Sequence, residues 1–85
     1  MHDTHLIEKI FESIAVLCRQ NGIVKVNELE IEVDEGSHIE GEHLLSHLIH
    51  RDSAMFGDWT RVHVEHKPYE KLTAIIKSID GDGCE

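Results

Sequence analysis

The sequence predicts a two-layer α/β domain of the α+β kind, with two helices packed on one face of a three-stranded mixed sheet in the order α-β-α-β-β. Three observations carry that expectation. Apolar residues recur at helical spacing over residues 4–21 and again over 39–51. Between these segments, residues 23–33 move into strict alternation of apolar and acidic side chains, the period of a half-buried strand. Two runs rich in β-branched residues, 59–66 and 72–79, follow the second helix.

In the first helix Leu6, Ile7, Ile10, Phe11, Ile14, Leu17 and Cys18 fall in one arc roughly 140° wide. Glu8, Lys9, Glu12 and Arg19 lie outside it. Asp3 or Thr4 can cap the start, and Asn21-Gly22 supplies the stop. Cys18 sits inside the apolar arc and reads as a small buried hydrophobe. In the first strand Leu29, Ile31 and Val33 face inward, while Glu28, Glu30 and Glu32 share the other, solvated face. Asp34-Glu35-Gly36-Ser37 is a turn. The second helix buries Leu44, Leu45, Leu48 and Ile49. Its His43, His47 and His50 lie within about 60° of one another on the opposite side. Residues 52–58 form a loop. In the strand after it, Val62 and Val64 point inward. The last two strands, joined by the short stretch Lys67–Lys71, are expected to pair as a hairpin. Residues 80–85 read as a flexible tail on a single domain spanning 1–85.

Eighty-five residues allow one domain with a small core. Eight Lys and Arg stand against seventeen Asp and Glu, a formal charge of −9. Nucleic-acid binding rests on basic patches that displace counterions from phosphates, so DNA and RNA are not expected as partners. An anionic membrane surface is disfavoured for the same reason. With no signal peptide and no apolar run long enough to span a bilayer, the chain reads as soluble and cytoplasmic. Cys18 and Cys84 form no CxxC pair. Ser13, Ser37, Ser46, Ser53 and Ser78 sit in no nucleophile elbow, the glycines form no phosphate-cradling loop, and the HExxH pattern is missing. No catalytic role is expected.

Eight histidines in so short a chain direct attention to metals, because imidazole is the commonest metal ligand. Two places stand out. At Met1-His2-Asp3, a terminal amine, an imidazole and neighbouring backbone amides can offer four nitrogens in a plane. That set suits Ni(II) or Cu(II) better than Zn(II). The second place is the stripe His43, His47 and His50, where residues four apart can share one zinc, nickel or copper ion. A reading without metal stays open beside these. The acidic face and the loop Met55-Phe56, with Trp59, could dock a partner protein.

The opening Met1-His2-Asp3 and its amphipathic helix, the segment Val26–Ile39 running into Glu42-His-Leu-Leu-Ser-His-Leu48, the strand 59–65 and the closing Ile75–Asp80 together resemble the HypA family, the nickel-insertion accessory proteins of [NiFe]-hydrogenase maturation. The resemblance covers nearly the whole chain. It implies a nickel-binding accessory protein, with Ni(II) held by the Met1 amine and the imidazole and amide nitrogens of His2. Asp3 stands where that family usually has glutamate and keeps the same backbone amide. The implied partners are a client metalloenzyme or a maturation protein, and a homodimer is allowed. The family also carries a zinc-binding unit with two CxxC pairs between its last two strands. Here that interval, Lys67-Pro-Tyr-Glu-Lys71, has no cysteine, so no structural zinc is expected.

Overall fold

The computed structural model describes residues 2–83, with side chains described from His5 onward. Helix α1 spans His2–Asn21, strand β1 Ile23–Asp34, helix α2 Gly41–Arg51, strand β2 Arg61–Lys67 and strand β3 Ala74–Gly83. The expected α-β-α-β-β order and the mixed three-stranded sheet are therefore present.

The amphipathic arc of α1 is buried as its spacing requires, with Leu6, Ile7, Ile10, Ile14 and Cys18 in the core. Gly22 ends the helix at φ +68°, the left-handed conformation that a residue without Cβ adopts at no steric cost. Helix α2 starts two residues later than its apolar pattern predicts. Ile39 is fully buried from an extended segment, Glu40 takes the N-cap position with φ −126° and ψ 159°, and Leu44 is buried one turn on. Ile39 and Leu44 thus hold the two positions of a hydrophobic staple, which fixes how the chain enters the helix.

The sheet order is β2-β1-β3, with β2 parallel and β3 antiparallel to β1. A parallel pair needs a crossover connection, and α2 supplies it. This order corrects the expected hairpin: β2 and β3 do not pair with each other, because β1 lies between them. The 12-residue β1 is the most buried strand, with Val26, Leu29, Ile31 and Val33 at 0–1 % exposure. A strand of that length gains most from the centre, where both edges find hydrogen-bond partners and the inward side chains are flanked on each side. The connection 68–73 therefore passes across the end of β1, where the Asp34 amide donates to the Thr73 carbonyl at 3.2 Å. Leu72, at φ 63°, turns the chain back into β3.

The expected tail is a second correction. Residues 80–83 continue β3, with Asp80 opposite Glu28, Gly81 opposite Val26 and Gly83 opposite Ile23. Only Cys84 and Glu85 of that segment lie outside the described residues. Gly81 explains why so polar a run can pair: a Cβ there would land on the Lys25 carbonyl oxygen.

Both helices lie on the sheet face that carries Leu29, Ile31 and Val33, with α1 against β1 and β3 and α2 against β2. The loop between α2 and β2 closes the core. The Asp52 side chain accepts from the Ala54 and Met55 amides at 3.1 Å each, and Phe56 is fully buried. The Val26 amide donates to the Met55 carbonyl at 2.9 Å, and the Thr60 hydroxyl donates to the Val26 carbonyl at 2.8 Å. The loop so continues the hydrogen bonding of β1 beyond the end of β2.

Candidate metal-binding histidines

Helix α1 begins at His2, so the amides of His2 and Asp3 belong to its first turn. The N–H groups of a helix's first turn have no intrahelical carbonyl to bond. Met1 lies outside the described residues, and so do the side chains of His2 and Asp3. The imidazole and amine of that candidate site have no described geometry.

On α2, the predicted stripe has His43 and His50 exposed and His47 half-buried. The structure brings two of the three together. The rings of His43 and His47 have centroids 4.8 Å apart and planes at 80°, as the i, i+4 spacing requires. His50 is one turn further on and does not complete a trio. Among the described residues, no group of three or more His, Cys, Asp or Glu side chains could hold a metal ion.

The acidic face of β1 does not converge on one point either. Its three glutamates turn to three separate partners, and the expected solvated face is corrected at Glu32, which is only 7 % exposed while Glu28 and Glu30 are exposed. Glu28 meets His63 Nε2 at 3.0 Å, an ion pair when that imidazole is protonated. Glu30 accepts from the Ser78 hydroxyl at 2.8 Å. Glu32 accepts from the Tyr69 hydroxyl at 2.5 Å and lies 3.6 Å from Lys77 Nζ. The Tyr69 hydrogen bond, helped by Lys77 and Lys67, holds the Glu32 carboxyl below the usual range. The same bond, with desolvation, pushes the Tyr69 phenol up. These contacts are cross-strand and loop-to-sheet pairs that brace the outer face.

Cys18 is 1 % exposed and unpaired, and burial raises its thiol pKa, so it is a packing residue and no nucleophile. The docking loop is corrected in part. Phe56 is at 0 % exposure, with its ring 6.4 Å from that of Phe11, and cannot meet a partner. Met55 packs beside the core. Trp59 is the exposed member of that set, and it carries Lys25 Nζ 4.5 Å from its ring centre.

Two features have no counterpart in the sequence reasoning. One is the contact of Tyr69 with Glu32, made across 37 positions of chain by the connection that crosses β1. The other is Asp34, 4 % exposed, whose Oδ1 has no hydrogen-bond partner. An aspartate ending an alternating strand was the one available signal for it, and it reads equally well as a turn residue.

The fold and its exposed histidines define a small two-layer α+β domain whose polar chemistry lies on open surfaces. No protein-family model matches the chain, and neither a curated protein nor a solved structure matches it. No helix among the described residues is long and apolar enough to cross a membrane.

Proposed function

We propose that the protein is a nickel-binding accessory protein of the HypA kind, holding Ni(II) at Met1-His2-Asp3 and passing it to a client metalloenzyme in the cytoplasm. The observation that carries the reading is the start of α1 at His2. It sets the amides of His2 and Asp3 where no helical hydrogen bond must be broken to free their nitrogens. Planar ligation through amide nitrogen expels the amide proton, so each such nitrogen brings a negative charge to the ion. That charge offsets the unfavourable placement of a cation at the positive end of a helix. The net charge of −9 draws cations toward the molecule. The agreement of element order with the resemblance is a secondary support, since fold alone does not fix function.

The reading requires a free amine on Met1 and an imidazole at position 2, while Asp3 contributes its main chain. His2→Ala is expected to abolish the optical band of square-planar nickel. Asp3→Glu is expected to keep nickel affinity within about threefold, because the amide is unchanged. Equal nickel affinity in His2→Ala and the native chain would overturn the proposal. Protons compete for the same nitrogens, the terminal amine and the amides included, so binding weakens as pH falls.

A further inference from the structure

We infer that His43 and His47 form a second, independent metal site, a two-imidazole chelate on the outer side of α2 for a divalent ion of the nickel or zinc class. The inference does not rest on the N-terminal reading.

The argument is geometric. An imidazole nitrogen binds such an ion at about 2.0–2.1 Å, which puts the ring centre about 3.2 Å from the metal. Two imidazoles in neighbouring coordination positions, about 90–110° apart, then have centres about 4.5–5.2 Å apart. The observed separation of 4.8 Å falls inside that interval. The rings meet edge to face at 80°, and turning either about its Cβ–Cγ bond re-aims its nitrogens while leaving the ring centre nearly in place. The helix sets this spacing before any metal arrives, so little conformational entropy is lost on binding.

Access and competition also favour the pair. His43 is exposed, and His47 is half-buried at the flank of the side that buries Leu44 and Leu48. Among the described residues neither ring takes part in a hydrogen bond or ion pair, whereas His63 is engaged by Glu28. Two protein ligands leave the remaining positions to water or to an exchanging ligand. Such a site captures an ion and releases it readily, with an open coordination sphere.

The two sites differ in electronic state, so one probe separates them. Four nitrogens in a square give diamagnetic Ni(II). Two imidazoles with water give six-coordinate, paramagnetic Ni(II). The test is an NMR titration with Ni(II) of an untagged chain extended by two residues before Met1, which removes the planar site. Line broadening is expected to centre on His43 and His47. In that extended chain His43→Ala or His47→Ala should weaken nickel binding at least tenfold, while His50→Ala should change it less than threefold. Both substitutions place a better helix former at an outward position, and circular dichroism checks that α2 is kept. Broadening centred elsewhere, no broadening, or unchanged affinity in the His43→Ala/His47→Ala double variant would overturn the inference. Loss of the planar band in the native chain would instead count against the N-terminal reading alone.

Discussion

The two faces of β1 follow opposite rules. Leu29, Ile31 and Val33 lie in one core cluster with the buried residues of both helices and are shut off from water. One residue away in each case, Glu28 and Glu30 meet His63 and Ser78 on an open surface, and Glu32 meets Tyr69, which helps to cover it. The inner face gains from apolar area and packing, which are non-directional and large in total. The outer face gains from separate polar pairs, each modest and, at Glu28 and Glu30, screened by water. The inner face therefore sets stability, and the outer surfaces are free to vary and to carry ligands.

Substitutions at neighbouring positions test that division. Leu29→Ala removes a fully buried side chain at the centre of the core and should cost about 2–5 kcal/mol of unfolding free energy, read by urea denaturation. Glu30→Ala, the next residue outward, should stay within about 0.5 kcal/mol. Costs of equal size would erase the distinction between the faces. Between these extremes lies Gly81→Ala. A methyl group there meets the Lys25 carbonyl, so the β1–β3 ladder must shift, at about 1–3 kcal/mol. An unchanged midpoint would mean that residues 80–83 are not held as a strand.

The smallest effect is the one that pH reveals. The Glu32 carboxyl titrates below its ordinary value in the fold, chiefly through the Tyr69 hydroxyl. A lowered folded pKa contributes stability that is present above the unfolded value of about 4.3 and is lost as pH falls through the folded value. Tyr69→Phe removes the main cause, so the melting temperature of the variant should fall less steeply than that of the native chain as pH drops below about 4.3. Parallel curves would assign the acid dependence to other carboxylates.

Much of this architecture is legible in the residues themselves. The arc of α1 and the alternation of β1 depend on local periods, and the same arithmetic places His43 and His47 on one side of α2. Strand pairing was not legible. Proximity in sequence favours joining β2 to β3, whereas the sheet places β1 between them, a choice made by the burial of the whole strand. Residues 80–83 look like a loop by composition. Their pairing depends on the close approach of Gly81 to Lys25, which no single-chain pattern encodes. The Tyr69–Glu32 bond follows from the path of the connection and was hidden with it. Of the candidate metal residues, the helix spacing placed the pair, but only coordinates give the 4.8 Å separation. The importance of Met1-His2-Asp3 rests on chemistry at a chain end, to which the fold adds the helical start at His2.

The central claim is that an amine and an adjacent imidazole clasp nickel while the domain presents them. The most direct test follows the visible absorption of the untagged native chain, beside the version extended before Met1, as Ni(II) is added at neutral pH. The account predicts a planar-nickel band that saturates at about one ion per chain in the native protein and is missing from the extended one. The same band in both, or in neither, would contradict it.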